Sequence, residues 1–572
     1  MSDFDYGKYK RSETIALKDR CWPNRVIERS PKWCSVDLRD GNQALIEPMS
    51  VSQKKKFFDL LVDIGITEIE VGFPAASKQD LDFVRFLCEN ARIPAHVTIQ
   101  VLTQCKPEMI KKTVEAVRGA KRVILHLYNS TSPIQRKKVF EMDKAGIVNM
   151  AKTAAEAVLK YTKPIKDTEW IFQYSPESFS TTELNFSVEI CNAVSEVWQP
   201  SVARPMYVAL PSTVEVATPN VYADQIECFC RHIDNRESIV ISTHTHNDRG
   251  CAVAAAELGV MAGAQRVEGT LLGNGERTGN MDIITMAMNL YSQGIDPELK
   301  LSDMDRIVSV VSNCTQIEVH PRHPYLGDLV YTAFSGSHQD AINKCLDDYQ
   351  DGEVWEIPYL PIDPRDIGHN YRDIVRINTQ SGKGGVAYIL RSKFGLRLPR
   401  WLQIEFSQVV QKRCEDSEKE IQSDEIWDLF QKCYLDKGAL VQLIDFFCER
   451  ENRSYFTAIL KVGNIGVSIK EEGKDIKDIL TCFLESLNTE MGVNIEILEY
   501  SSHSLEDKFA MVSYIRIKYK GKKYSGVAIN ENNIRSLLSA LVAAINQIYI
   551  KELKFRKEKS IVLGGCLKSF IL

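Results

Sequence analysis

No uninterrupted run of eighteen apolar residues occurs, so no segment is expected to cross a bilayer as a helix. The opening MSDFDYGKYKRSE has no apolar core of the kind a secretory leader needs, and Asp3, Asp5 and Glu13 argue against an organellar transit segment. The cysteines, 15 in all, include no C-x-x-C pair. The closest two, Cys228 and Cys230, flank Phe229, a spacing that supplies neither a metal knuckle nor a redox motif. Free thiols in a reducing cytoplasm are the expectation. Neither charge sign is in marked excess: 71 Lys and Arg against 76 Asp and Glu leave a net −5, which gives no reason to expect nucleic acid. Lysine pairs such as Lys111-Lys112 and Lys137-Lys138 read as solvated faces. Phosphate-binding loops are missing too. Gly273-Asn-Gly-Glu-Arg-Thr-Gly279 is one residue too long for a dinucleotide fingerprint, and Ser381-Gly-Lys-Gly-Gly385 lacks both ends of a P-loop. There is no internal repeat and no low-complexity tract.

What is present is a long alternation. At 572 residues the chain exceeds what one core serves, so two or three domains are expected. Eight β-rich runs, Trp33–Leu38, Glu68–Phe73, His96–Leu102, Arg122–Leu127, Glu169–Tyr174, Pro205–Leu210, Ser238–Thr243 and Gln265–Leu271, alternate with amphipathic stretches such as Val51–Ile64, Lys78–Asn90 and Ala151–Tyr161. Eight βα units predict an α/β fold, a (β/α)8 TIM barrel. The competing doubly wound sheet would carry a Gly-rich turn after its first strand, where Asp-Leu-Arg-Asp-Gly-Asn-Gln stands instead. Beyond the barrel, residues 326–440 read as helical linker subdomains broken by the Pro-rich Ile357–Ile367. From about Tyr455 an α+β module of ββαβ(β)α type is expected: a hairpin within Phe456–Ile469, a helix over Asp475–Met491, strands in Asn494–Tyr500 and Phe509–Ile529, and a last helix over Asn533–Ile550. The division predicted is 1–325 for an N-terminal extension and barrel, 326–440 for the linker and 441–572 for the final module.

The unusual polar residues cluster at the C-terminal ends of the predicted strands, which converge on one mouth in a barrel. Strand one runs into Arg39 and Asp40. Strand four carries His126, strand five ends in Ser175 and Glu177, strand six in Ser212 and Thr213, and strand seven in His244-Thr-His246. Residues two apart on a strand face the same side, so both imidazoles can point into the mouth, with Asp40 placed to complete a divalent metal site. Two histidines and one aspartate with open positions make a catalytic site, and the metal would polarise a carbonyl. The competing reading is one packing and one solvent-facing histidine. Arg39 beside that site can stabilise a developing oxyanion, unless it only neutralises a neighbouring carboxylate. Glu177 and His126 are candidate acid/base groups, and Ser175 and Thr213 could hydrogen-bond a small carboxylate.

Several segments together resemble the 2-isopropylmalate synthase family in its longer, second type: Trp33-Cys-Ser-Val-Asp-Leu-Arg-Asp-Gly-Asn-Gln-Ala-Leu45, His126-Leu-Tyr-Asn-Ser-Thr-Ser132, Tyr174-Ser-Pro-Glu177, Leu210-Pro-Ser-Thr-Val-Glu215, Ser242-Thr-His-Thr-His-Asn-Asp-Arg-Gly250, the stretch Val267 to Asn280, Phe334-Ser-Gly-Ser-His-Gln-Asp-Ala-Ile342, and Pro358-Tyr-Leu-Pro-Ile-Asp-Pro-Arg-Asp366. The resemblance spans roughly residues 20–550. It implies an enzyme that condenses acetyl-CoA with 3-methyl-2-oxobutanoate and hydrolyses the thioester to 2-isopropylmalate and CoA, opening leucine biosynthesis in the cytoplasm. By the family pattern Asp40, His244, His246 and Asn280 form the metal site. Arg39, His126, Ser175, Glu177 and Thr213 line the oxo-acid pocket, with Arg39 and Glu177 among the catalytic residues. His338 and Tyr371 reach the site from the partner chain of a domain-swapped homodimer, and the last module is a leucine feedback domain. Mixed His, Asp and Asn ligation suits Mg2+ first, or Mn2+ or Zn2+. Two segments depart from the family: Ser525-Gly-Val-Ala-Ile-Asn-Glu-Asn-Asn533 stands where a Gly-rich strand-to-helix turn is usual, and Lys551–Leu572 has no counterpart. Pocket volume alone separates this oxo acid from those of citramalate or homocitrate synthases. A metal-dependent lyase or aldolase would not need the final module, and a non-catalytic amino-acid sensor would not need the Arg-Asp and His-x-His set.

Overall fold

Glu68-Ile-Glu-Val-Gly72 is buried at every position, the mark of a strand covered on both faces. Seven further runs behave similarly, and in the computed structural model the eight close on themselves in sequence order as a parallel barrel. The structure describes residues 6–9, 12, 14–369, 383–417, 421–435, 441–451, 453–462, 465–472, 475–505 and 510–562. The barrel strands are β1 (Lys32–Ser35), β2 (Glu68–Gly72), β3 (Thr98–Gln104), β4 (Arg122–Ser130), β5 (Glu169–Glu177), β6 (Met206–Ser212), β7 (Ile239–Thr245) and β8 (Arg266–Gly269). Register closes the ring where Lys32 pairs with Arg266 and Ser35 with Gly269.

Local chemistry sets the helix ends. Ser50 caps Val51–Asp63 through a reciprocal box with Gln53. The helix expected from Ala151 starts at Lys144, because the Asp143 carboxylate accepts from the N–H of Gly146 and caps a first turn whose glycine hid it. The first strand ends at Ser35 rather than Leu38. Arg39 and Asp40 therefore sit on a π-helical turn, Asp37–Gly41, and not at a strand end.

Alternation along the strands sends apolar side chains outward under the helices: Ile69, Val71, Ile99, Val101, Ile241 and Val267 are all fully buried there. The inward row is polar. Arg266, fully buried, donates to Glu68, Glu268, Ser242 (3.0 Å) and Gln100 (2.7 Å), with Tyr207 stacked over its guanidinium. Most barrels fill this space with branched aliphatic residues; here an ion network fills it.

Residues 14–330 with 365–369 make one unit, and 331–364 with the described residues from 383 onward make a second. In the second unit the helices Lys383–Phe394, Arg400–Ser417 and Ser423–Phe430 share a core built on Leu390, Leu402, Phe406 and Phe430. Two three-stranded antiparallel sheets follow: β9 (Val441–Glu451), β10 (Arg453–Val462) and β11 (Ile465–Glu472), then β12 (Ile495–Leu505), β13 (Ala510–Tyr519) and β14 (Lys522–Asn530). Each is followed by a helix, Ile476–Met491 and Asn533–Val562, so the module is βββαβββα. β9 is missing from the sequence reading because a bulge at Ile444 breaks its period of two. Ser525-Gly-Val-Ala-Ile is β14 itself, and the turn into the last helix is made by Asn532, whose side chain accepts from Ile534 and Arg535 N–H. No helix among the described residues is long and apolar enough to cross a membrane.

Arg266→Met strands two buried carboxylates. We expect it to lower the barrel's unfolding free energy by about 3–5 kcal/mol, with Arg266→Lys intermediate, in denaturant titrations followed by tryptophan fluorescence. A loss below about 1 kcal/mol, the size of an exposed ion pair, would show that the network is not what holds the interior.

Candidate functional site

The turn after β1 places two opposite charges side by side. The Val36 carbonyl accepts from the N–H groups of Arg39, Asp40 and Gly41 at 3.2, 2.9 and 3.1 Å, and Arg39 Nη1 then reaches Asp40 Oδ1 at 2.7 Å. The other Asp40 oxygen, Oδ2, is buried without a hydrogen-bond partner. It lies 3.6 Å from His244 Nε2 and 3.7 Å from His246 Nε2, and those two nitrogens are 3.3 Å apart. His246 also bridges the backbone of Asn280. The Asn280 side-chain N–H donates to the Asn274 carbonyl at 3.2 Å, which leaves its Oδ1 buried and unpartnered. Orphaned buried oxygens of this kind cost roughly 1–3 kcal/mol each. Two imidazoles, one carboxylate and one amide oxygen are a donor set that a divalent cation would satisfy.

Electrostatics point the same way. Burial disfavours charge on His244, but Asp40 and Glu268 on either side outweigh it and hold its pKa at about 9. Burial, then the His244 charge, push His246 down to about 4. Burial alone would raise the Asp40 carboxyl, yet Arg39 and His244 hold it well below the usual carboxylate range. At neutral pH the protein alone thus keeps a positive charge on His244, beside the place where a cation would put its own.

Behind this cluster stand carboxylates that sequence reasoning missed. Glu268 Oε2 pairs with His244 Nδ1 at 2.9 Å and so turns Nε2 toward Asp40. Its other oxygen is held by Gln173 at 2.7 Å and by Arg266. Glu70 Oε2 accepts from Arg39 Nε, while Oε1 faces His126 Nδ1 at 2.8 Å and Gln100 Nε2 at 3.0 Å. One buried carboxylate therefore orients both Arg39 and His126. The signal for both was period two: Glu68 and Glu70 on β2, and Arg266 and Glu268 on β8, are charged residues alternating with apolar ones on strands with no solvent face.

Arg39, Asp40, His126, Ser175, Glu177, Thr213, His244 and His246 all border one cavity of about 730 Å3. His126 Nε2 lies 2.7 Å from Ser175 Oγ, Ser130 donates to Glu177, and Thr213 Oγ1 accepts from the Ser178 N–H at 2.9 Å. Leu102, Tyr128 and Pro211 give the cavity an apolar wall. His338 belongs to the second unit, where its ring stacks on Tyr359 at 3.9 Å. Tyr371 lies outside the described residues.

Three family models match the chain in turn. One described as HMGL-like matches residues 30–311, the alpha-isopropylmalate synthase post-catalytic domain-like model matches 328–391, and the LeuA allosteric (dimerisation) domain matches 420–549. The chain is similar to the 2-isopropylmalate synthase of Pseudomonas entomophila (strain L48), 50% identical over 543 residues, which cover 94% of this chain and 97% of that protein. It is likewise similar to the 2-isopropylmalate synthase of Brucella suis biovar 1 (strain 1330), 49% identical over 553 residues, 95% of this chain and 99% of that one.

Asp37 anchors the turn that carries Arg39 and Asp40. Its buried carboxylate accepts from the Leu271 N–H at 3.1 Å and from the Ser35 hydroxyl at 2.8 Å, yet burial pushes its pKa up to about 7. The folded state therefore keeps a proton that the unfolded chain loses near its ordinary value, and this group's share of stability falls as pH rises from about 4 to 7. Asp37→Asn should flatten the fall in melting temperature between about pH 4 and 7. Melting curves whose pH dependence runs parallel to the wild type's would rule Asp37 out as the source.

Proposed function

The chain belongs to the 2-isopropylmalate synthase family, and we propose that the barrel cavity is where its own residues carry out that family's reaction. It is an enzyme that condenses acetyl-CoA with 3-methyl-2-oxobutanoate and hydrolyses the thioester to 2-isopropylmalate and CoA, the first committed step of leucine biosynthesis. The observation that carries the assignment to the cavity is the meeting of Asp40, His244 and His246 beside Arg39 on one 730 Å3 space with an apolar wall.

Asp40, His244, His246 and Asn280 are the residues that would hold a divalent metal, Mg2+ first, with Mn2+ and Zn2+ as alternatives. When bound it supplies Lewis-acid polarisation of the 2-oxo group. Arg39, fixed by Glu70 and Asp40, aims its remaining guanidinium edge at the oxygen that gains charge as the new carbon–carbon bond forms. Ser175 and Thr213 bind the oxo-acid carboxylate. Glu177 takes a proton from the acetyl methyl group, and His126, held by Glu70, hydrogen-bonds the oxo acid beside Ser175. The isopropyl group fits the wall of Leu102, Tyr128 and Pro211.

Beyond the cavity, we assign 1–325 to an N-terminal extension and barrel, 326–440 to the linker and 441–572 to the final module. His338 and Tyr371 are assigned to the site of a partner chain in a domain-swapped homodimer, a reading supported by the family resemblance and by a C-terminal module whose family model is described as allosteric and dimerising. L-leucine is the proposed feedback ligand of that module. The cytoplasm is the proposed location, as the family resemblance implies.

Thiol release from acetyl-CoA, measured against a panel of 2-oxo acids, should be fastest with 3-methyl-2-oxobutanoate and should vanish on chelation and in His244→Ala. Preference for pyruvate or 2-oxoglutarate would move the chain to a sister synthase, and full turnover in chelated protein would dispose of the metal. Arg39→Lys keeps the charge but loses the planar fork, so kcat should fall by about 10²–10³. A change confined to KM would demote Arg39 to binding.

A further inference from the structure

Three loops at the mouth are tied by one arginine that the reaction described above does not use. Arg277 lies in the segment after β8 and lines the cavity. Its backbone is left-handed, at φ +57°, a strained position for a residue with a Cβ. The guanidinium forks onto Asp248 of the loop after β7, Nε to Oδ1 at 2.6 Å and Nη2 to Oδ2 at 3.1 Å. The same Nη2 donates to the backbone carbonyl of Thr213, at the end of β6, at 2.5 Å.

Asp248 is itself held. Its Oδ2 accepts from the Glu215 N–H at 2.9 Å, and the buried Glu215 carboxylate accepts in return from the N–H groups of Arg249 at 2.6 Å and Cys251 at 3.3 Å. The loops after β6 and β7 are thus joined by backbone contacts in both directions, and Arg277 locks that pair to the segment after β8. What the lock fixes is Thr213. The threonine oxygen already accepts from the Ser178 N–H, so the hydroxyl's own hydrogen is the half left for a ligand. Its direction depends on where the Thr213 backbone is held.

We propose that Arg277 is a positioning residue for the 2-oxo acid: by gripping the Thr213 carbonyl and Asp248 together, it aims the Thr213 hydroxyl at the substrate carboxylate. The proposal rests on the reading of Thr213 as a carboxylate contact. Lysine cannot replace Arg277 fully, because an ammonium cannot fork onto Asp248 while also reaching the carbonyl.

Steady-state kinetics of the full-length, metal-loaded enzyme test this with Arg277→Asn, Thr213→Val, the double variant, Asp248→Asn and Arg277→Lys. Asparagine tolerates the left-handed backbone, so Arg277→Asn removes the fork with little added strain. Arg277→Asn and Thr213→Val should each raise KM for 3-methyl-2-oxobutanoate about ten-fold, the size of one hydrogen bond to a charged group, while KM for acetyl-CoA and the melting temperature stay near wild type. The double variant should be no worse than the worse single variant, because both act on one hydroxyl. Asp248→Asn should follow Arg277→Asn, and Arg277→Lys should recover part of the loss. Effects that multiply in the double variant, or a rise in the acetyl-CoA KM instead, overturn the positioning role. If Thr213→Val raises the oxo-acid KM and Arg277→Asn does not, the proposal alone fails. If Thr213→Val leaves that KM unchanged, the reading of Thr213 fails first.

Discussion

Arg266 has five N–H donors and is fully buried, and everything at the mouth of the barrel inherits the way they are satisfied. Its guanidinium holds Glu268 in place, Glu268 turns His244, and His244 with His246 faces Asp40. A second buried carboxylate, Glu70 on β2, repeats the arrangement for Arg39 and His126 and shares Gln100 with the Arg266 network. The cavity is therefore the upper layer of a charged column rather than a set of polar residues added to an apolar core. Pre-organisation follows: side chains that line the cavity are held by groups that are themselves pinned, which leaves them little room to reorganise.

The same column explains what could be read from the sequence and what could not. The barrel was legible because eight runs alternate with amphipathic stretches, and the mouth because His244-Thr-His246 and Arg39-Asp40 break apolar surroundings. Glu68, Glu70, Arg266 and Glu268 went unread, since a charge in a strand ordinarily marks a solvent face and only barrel closure turns that face inward. Arg39 illustrates the limit of single-residue reasoning. Its sequence position allows an oxyanion donor or a partner of a neighbouring carboxylate, and the side chain pairs with two carboxylates while lining the cavity. Where backbone geometry rather than pattern decided, the reading slipped: the π-helical turn cut β1 short, and the bulge at Ile444 concealed β9.

In the second unit a backbone approach, rather than charge, sets the architecture. A Cβ at Gly526 would lie 2.1 Å from the Ala540 carbonyl and 2.4 Å from the Ala544 amide, so the last helix sits directly on β14 and only glycine admits it. Ser525 beside it donates to Glu405 at 2.6 Å, tying the same strand to the helix Arg400–Ser417. The segment that departs from the family's glycine-rich turn thus keeps a glycine where packing demands one, and the helices before residue 435 share a core with β13 and β14.

Arg266 also bears on how the barrel comes into being. Its partner Glu68 is 198 residues earlier in the chain and Gln100 is 166 earlier. Until β8 arrives, Glu68 on β2 faces a half-built interior without its arginine, whereas Glu70 two residues on has Arg39 from earlier in the chain. A nascent chain synthesised at roughly 5–20 residues per second waits about 10–40 s between those two ends. During that interval, hydration of Glu68 is more favourable than burying it unpaired. The strand that closes the ring is thus also the one that brings the cation for Glu68, so β8 completes the barrel's hydrogen-bonded wall and its charge balance together.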